Sequence, residues 1–202
     1  MTFAKKYARQ CVAALVIATF LGGLVLIGPV FAEEDSVKET VIGQIVRFIK
    51  AKNIRLQEDT LKRMATTVYE ESQLYELDYR LILAVVKVES NFRNEAVSRR
   101  GARGLMQIKP ALAKYIAKDA GVSWGGNNCL SEPEKNIKLG VYHLSQLMDD
   151  FKDMAVALHA YNTGPAKLKG KLFQENSEPK NKFARRVLSE YRNNISVLPD
   201  VE

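Results

Sequence analysis

The sequence has 202 residues, which is enough for one domain with a hydrophobic core. Hydrophobic residues make up 47% and charged residues 26%, as in ordinary folded proteins, and the formal net charge is +7. No dense run of lysine and arginine points to nucleic acid as a partner.

The two cysteines are Cys11 and Cys129. If Cys11 is removed with the segment described next, a disulfide framework within one mature chain is excluded. We expect Cys129 to be buried, the alternative being pairing between chains.

Residues 1–32 have the order of a secretory signal peptide. Three basic residues and no acidic one lie in the first ten positions, an apolar run follows, and Ala32 stands before the polar start at Glu33. Cleavage after Ala32 would remove three positive charges and lower the net charge from +7 to +4. We therefore expect export to the periplasm or cell envelope. The alternative is an uncleaved inner-membrane anchor, because the apolar run approaches the length that spans a bilayer.

The first half of the remaining chain predicts three helices. Residues 33–40 are polar and acidic and are expected to be flexible. Apolar residues then recur at helical spacing from Val37 (Val41, Ile42, Ile45, Val46, Ile49), and a second helix is predicted over residues 60–77, capped by Asp59 or Thr60. The third helix is capped by Asp78 and runs through a β-branched, apolar stretch to Glu89. A strand also fits that stretch, but the flanking helices favour a buried helix.

The second half alternates between loops and helices. Residues 94–104 and 121–128 contain the glycines typical of loops, whereas Pro110 and Pro133 fit the first turns of helices. A short helix is predicted over residues 154–161, a loop over 166–179, and a last amphipathic helix with Phe183, Val187, Tyr191 and Ile195 on its inner face. The sequence therefore predicts an all-α protein whose loops carry the unusual residues.

Three clusters contain side chains suited to chemistry. Glu89 stands at the end of an apolar helix, where burial and the helix dipole both raise the pKa of a carboxyl group. A raised pKa keeps the group protonated, as a general acid requires. Considered alone, Glu89 also fits an ordinary glutamate at a helix end.

The other two clusters lie downstream of Glu89. In residues 101–107, glycines permit close backbone approach, Gln107 can both donate to and accept from a sugar, and Met106 offers an adaptable apolar surface. In residues 160–165, Tyr161 combines an apolar body with a polar tip. Separately, these clusters also fit a loop-to-helix turn and a core tyrosine.

Together, the clusters resemble the catalytic domain of soluble lytic transglycosylases, glycoside hydrolase family 23. The resemblance covers roughly residues 75–168, and its motifs occur in family order. They are residues 85–92, 96–98, 101–102, 104–108, Pro110, 132–133, 136–137, Gly140, Tyr142 and 160–165.

This resemblance implies a lysozyme-like helical domain with a glycan-binding groove. Family members cleave the β-1,4 bond between N-acetylmuramic acid and N-acetylglucosamine in peptidoglycan and leave a 1,6-anhydro end. Glu89 takes the acid/base position, and Tyr161 and Ser98 are expected to hold Glu89 or the substrate by hydrogen bonds. The substrate-binding positions are Ser98, Met106, Gln107, Tyr161 and Asn162. We expect no cofactor and no metal, and we interpret His143 and His159 as structural or surface residues.

The motifs contain no second carboxylate, since Glu95 lies in a loop position that the family does not require to be acidic. This favours intramolecular transglycosylation over hydrolysis. A hydrolytic muramidase and an inactive wall-binding module are the alternatives. We divide the chain into a signal peptide (1–32), an N-terminal helical extension (33–76), a catalytic core (77–168) and a C-terminal tail with one helix (169–202). The extension and tail are candidates for contact with a secretion or flagellar assembly.

Overall fold

The computed structural model describes residues 30–52, 56–164 and 181–200. The expected signal segment lies outside these ranges apart from residues 30–32, as does the expected loop at 166–179. The described residues form seven α-helices and one short 3-10 helix. These are α1 (Val30–Lys50), α2 (Glu58–Tyr75), α3 (Tyr79–Ser90), α4 (Pro110–Ile116), the 3-10 helix (Asn127–Ser131), α5 (Pro133–Phe151), α6 (Met154–Thr163) and α7 (Lys182–Val197). In these ranges no helix combines the length and hydropathy needed to cross a bilayer.

The start of α1 differs from the expectation. The helix begins at Val30 instead of Val37, so residues 33–40 are helical, not flexible. Acidic residues near a helix N-terminus favour this extension because they complement the positive end of the helix dipole. An ion pair of 2.8 Å between Lys38 Nζ and Glu70 Oε1 also fastens this part of α1 to α2.

The predicted cap of α2 was wrong, whereas that of α3 is confirmed. Helix α2 begins at Glu58 after Gln57, whose side chain makes no capping bond, so Asp59 lies inside the first turn. At α3, the Asp78 side chain accepts a hydrogen bond of 2.8 Å from the Arg80 backbone N–H. That bond satisfies one of the free donors at the helix start.

Helix α7 clamps the start of α3. The Tyr191 hydroxyl donates to Asp78 Oδ2 at 2.7 Å, and Asn194 Nδ2 donates to the Arg80 carbonyl oxygen at 2.8 Å. Asn194 is buried, while Ile195, predicted to face inward, is 44% exposed. The prediction for Ile195 was wrong because the buried position is occupied by Asn194, and a polar residue is normally predicted to be exposed.

Helix α3 occupies the centre of the molecule. Its residues 81–86 are all buried, and it packs mainly against α7, with further contacts to α2. Helix α5 packs against α2 and α6, and α6 packs against α7. Because neighbours surround the middle of α3, residues 81–86 are all apolar and not divided into an apolar and a polar face. Cys129 is buried as expected.

Candidate active site

Glu89 is placed by a tight turn at the end of α3. Asn91 and Phe92 both adopt left-handed backbone conformations, with φ of 52° and 61°. Consecutive left-handed residues other than glycine are unfavourable, so the surrounding fold must hold them. Phe92 is fully buried and anchors this turn. The chain therefore leaves α3 abruptly, and Glu89 remains at an open edge of the core.

Burial raises the pKa of the half-buried Glu89 to about 7, and the positive charge of Arg186 opposes part of that rise. The direction is the one expected from the sequence. Near neutral pH, a substantial fraction of Glu89 is therefore protonated and able to donate a proton.

Glu89 borders a groove that consists of two adjoining cavities. We call them the loop side and the tyrosine side. The loop side has a volume of about 790 Å³, and residues 91–98 form much of its wall. The tyrosine side has a volume of about 650 Å³ and is bordered by Tyr161. Glu89, Ser98 and Gln107 line both sides, so the carboxyl group lies where the two sides meet. Asn162 lines the tyrosine side. Five of the six predicted site residues thus come together at one groove.

Met106 is the exception. Its side chain is fully buried and does not line the groove, contrary to the expectation that it lies under a sugar ring. It fills the space above Gly140, where an added Cβ would lie 2.3 Å from the Met106 Sδ. Glycine at position 140 is therefore needed so that Met106 can support the loop from beneath.

Asn136 holds the loop of residues 101–108 in place. This buried side chain accepts from the Met106 N–H at 2.7 Å and donates to the carbonyl oxygens of Arg103 (3.0 Å) and Leu130 (2.9 Å). Gly104 has a φ of 80°, and a Cβ there would lie 2.2 Å from Asn136 Nδ2. Because a side chain at position 104 would collide with Asn136, the hydrogen bonds of Asn136 require glycine at position 104.

Gln107 is oriented by the same loop. Its backbone is left-handed (φ 52°), and its Nε2 donates to the carbonyl oxygens of Ala96 (3.1 Å) and Gly104 (2.9 Å). Both amide protons are thereby used within the protein. The amide oxygen is the atom left for a ligand, so Gln107 is built as an acceptor, whereas the sequence suggested both roles.

Tyr161 was expected to hold either Glu89 or the substrate, and its hydroxyl makes no hydrogen bond to Glu89. The Tyr161 hydroxyl instead donates to the Met106 carbonyl oxygen at 2.8 Å. Its ring stacks on Phe183, with centroids 6.3 Å apart and planes at 6°. Burial, assisted by the charge of Glu89, raises the Tyr161 pKa well above its ordinary value. Tyr161 therefore remains a neutral donor that ties α6 to the loop.

Ser98 also bonds within its loop, where its Oγ accepts from the Ala102 N–H at 3.0 Å. The hydroxyl proton is not used by that bond, and it is available to a ligand on either side of the groove.

His143 is a groove residue that the sequence analysis missed. It lines the tyrosine side, and its ring centroid lies 5.3 Å from that of Tyr161. Burial lowers the pKa of His143 to about 4, so the imidazole is neutral at ordinary pH. The spacing of Asn136, Gly140 and His143 on one helix face was the signal that could have identified it.

Residues outside the motifs also reach the site. Lys52 and Leu56, which lie between α1 and α2, line the loop side. Lys52 Nζ lies 3.2 Å from Glu190 Oε1 of α7 and 4.4 Å from the Phe48 ring centroid. No pattern in the sequence indicates this link, because it joins residues 138 positions apart.

Two relatives show how this chain compares with known proteins. The membrane-bound lytic murein transglycosylase C of Edwardsiella ictaluri is 40% identical over 89 residues, covering 42% of this chain and 24% of the relative. The transglycosylase of Enterobacteria phage PRD1 is 38% identical over 98 residues, covering 48% of this chain and 34% of the relative. The matches thus span about a third or less of these relatives' length.

A solved structure shares the fold. The X-ray structure of an inactive Glu-to-Gln mutant of the lytic transglycosylase Slt from Pseudomonas aeruginosa matches with a TM-score of 0.57 and 27% identity. The match covers 66% of this chain and 24% of that one. The predicted all-α, lysozyme-like fold is confirmed. The family model "Transglycosylase SLT domain" matches residues 66–184, which is wider than the motifs recognised in the sequence. Since that match covers more than half of the chain, the protein belongs to the transglycosylase SLT domain family.

Proposed function

We propose that this protein is a peptidoglycan lytic transglycosylase. It cleaves the β-1,4 bond between N-acetylmuramic acid and N-acetylglucosamine and forms 1,6-anhydro-N-acetylmuramic acid. One observation carries the proposal: Glu89, a half-buried carboxyl group with a pKa of about 7, lies where the two sides of a groove meet. A glycan strand bound in the groove therefore has sugars on both sides of Glu89, with a glycosidic bond beside the carboxyl group.

Glu89 serves first as an acid and then as a base. It donates its proton to the glycosidic oxygen as the bond from that oxygen to the muramic acid C1 breaks. The N-acetyl group of the same sugar stabilises the positive charge that develops at C1. The Glu89 carboxylate then takes the proton of the 6-hydroxyl as O6 bonds to C1. Because O6 belongs to the same sugar, it has a large proximity advantage over water.

The other groove residues hold the strand and the loop. The Gln107 amide oxygen accepts from a sugar N–H or hydroxyl, and the Ser98 hydroxyl and exposed Asn162 side chain contact the sugars directly. Tyr161 acts indirectly, through its bond to the Met106 carbonyl oxygen. Met106 supports the loop from within the core.

A hydrolytic muramidase is the second candidate because an exposed carboxylate, Glu95, lines the loop side together with Glu89. Hydrolysis by inversion requires such a second carboxylate to activate water. Glu190 also lies near Glu89, but it is paired with Lys52.

Matched variants separate these mechanisms. Purified protein is incubated with peptidoglycan, and the products are identified by mass spectrometry. The proposal expects anhydro ends from the wild type, no products from Glu89→Gln, and nearly full activity with anhydro ends from Glu95→Gln. Reducing ends from the wild type, lost on Glu95→Gln substitution, would establish the muramidase instead. The inactivity of the Glu-to-Gln mutant of Pseudomonas aeruginosa Slt supports the choice of this substitution.

We also propose that the protein works in the cell envelope, after export by residues 1–32 and cleavage at Ala32. The relative from Edwardsiella ictaluri is called membrane-bound and a relative from Salmonella typhimurium is called soluble, so retention of the segment as an anchor is the alternative. N-terminal sequencing of protein from periplasmic and membrane fractions distinguishes the two.

We place the catalytic core at residues 77–168. The extension (33–76) and the tail (169–202) are the candidate surfaces for a secretion or flagellar assembly partner. Crosslinking in cells with and without such an assembly tests this assignment.

A further inference from the structure

Glu89 also borders a third cavity, of about 590 Å³, on the side that faces α7. We call it the side cavity. Its walls include the last turn of α3 and the Arg186–Glu190 face of α7. Glu89, Asn91 and Arg93 line both this cavity and the loop side of the groove, so the two spaces adjoin beside Glu89.

The side cavity has an excess of positive charge. Lys87, Arg93 and Arg186 line it, and its other carboxylate besides Glu89 is Glu190. Glu190 is already paired, since Lys52 Nζ lies 3.2 Å from its Oε1. The cationic side chains are therefore not neutralised by the cavity itself.

Arg186 is the cation best placed for a ligand. Lys87 donates to Asn91 Oδ1, and Arg93 Nε donates to the Ser90 carbonyl oxygen at 3.0 Å. Within residues 30–52, 56–164 and 181–200, the exposed side chain of Arg186 has neither an ion pair nor a hydrogen bond. Arg186 lines the side cavity together with Glu89, and its positive charge opposes part of the rise in the Glu89 pKa. A free guanidinium presents a planar fork that binds a carboxylate through two parallel hydrogen bonds.

We propose that the side cavity binds a carboxylate carried by the muramic acid at the scissile bond, with Arg186 as its main ligand. This inference rests on the proposed function. The lactyl group is attached to C3 of the muramic acid, and C1 of the same ring reacts beside Glu89. The lactyl group therefore lies within the width of one sugar ring from Glu89. The lactyl group ends in a free carboxylate on stripped strands, or in a stem peptide that has its own carboxylates. The side cavity thereby recognises muramic acid as the acidic sugar of the strand.

Arg186 lies beyond residue 184, where the family match ends. The proposed contact is therefore a property of the last helix of this chain and not of the matched motifs.

Binding by three glycans tests the proposal. The probes are peptide-bearing strands, amidase-stripped strands with free lactyl carboxylates, and N-acetylglucosamine oligomers, which lack a carboxylate. Affinities are measured in a Glu89→Gln background, so that turnover and the charge of Glu89 are both removed. The test variant is Arg186→Gln. The control is Arg185→Gln, which removes an exposed charge at the neighbouring position of α7 that does not line the cavity.

Arg186→Gln is expected to weaken binding of a carboxylate-bearing strand about tenfold or more, as for a lost charge-assisted hydrogen bond. Oligomer binding is expected to be unchanged, and Arg185→Gln to bind all three probes normally. Loss with peptide-bearing strands alone identifies the stem peptide as the carboxylate source, and loss with stripped strands alone identifies the lactyl group. Arg186→Lys is expected to restore part of the affinity.

Equal effects of Arg186→Gln on all three glycans, or no effect on any, would overturn the inference. Product analysis of the wild-type enzyme separates this failure from that of the proposed function. If anhydro products form while Arg186→Gln binds every probe normally, only the carboxylate site is refuted.

Discussion

Replacing Glu89 with glutamine removes a carboxyl group that the fold has half-buried at the end of α3. Its pKa is about 7 in the folded protein against an ordinary 4.5. Between these values the folded state holds a proton that the unfolded state has lost, so stability falls as the pH rises. Above pH 7 the whole penalty is present. At about 1.4 kcal/mol for each pH unit, the shift of about 2.5 units amounts to at most about 3.5 kcal/mol.

Glu89→Gln should therefore stabilise the protein while inactivating it. Because water reaches Glu89 from the groove, we expect a gain of about 1–3 kcal/mol at pH 8 and a few tenths of a kcal/mol at pH 4. Activity should fall roughly 10²- to 10⁴-fold or more. Urea unfolding of both proteins at the two pH values measures the gain. Glu95→Gln is the control, since an exposed carboxylate is already hydrated. A variant no more stable than wild type at pH 8 would refute the burial of Glu89 as the cause of its raised pKa.

Three further substitutions and one control substitution test the architecture around the groove. Gly104→Ala should cost about 3 kcal/mol or more in urea unfolding, because its Cβ meets other atoms at 2.2 Å. Gly101→Ala, with a similar φ but open space, should cost only about 1 kcal/mol. Equal costs would show that backbone strain, not contact, dominates. Tyr161→Phe removes the bond to Met106, so amide exchange in the loop should quicken and turnover should fall with unchanged products. Normal exchange in the loop would contradict the anchoring role. Tyr191→Phe removes a bond to the aspartate that caps α3 and should lower the unfolding free energy by about 1.5–3 kcal/mol. An unchanged value would mean that α7 does not clamp α3.

Local signals made the helices predictable. Asp78 caps α3 because a short acidic side chain reaches the free N–H groups of the first turn. Pro110 and Pro133 begin helices because the first helical residue needs no N–H donor. The apolar stretch of α3 was assigned correctly only with the help of its neighbours, since a helix buried on all sides has no period of its own.

The site was predictable where its residues lie in motifs and not where distant elements supply them. Glu89, Gln107 and Tyr161 fall in motifs, although the hydrogen-bond partners of Gln107 and Tyr161 could not be predicted from the sequence. Met106 was misplaced because an apolar residue in a loop motif fits a ligand surface as well as a core. Arg186 and Lys52 come from helices and turns far along the chain, and only packing brings them to Glu89.

The clamp between α7 and α3 also governs when the site can form. Its two hydrogen bonds join residues 113 and 114 positions apart, so neither bond can form until α7 is available. A chain that is synthesised from its N-terminus presents Glu89 long before Tyr191 and Asn194. The clamp on α3 therefore waits for the last helix, and such distant contacts form late because long loops must close first. The order of synthesis thus leaves the start of α3 without its clamp until the last helix has been made.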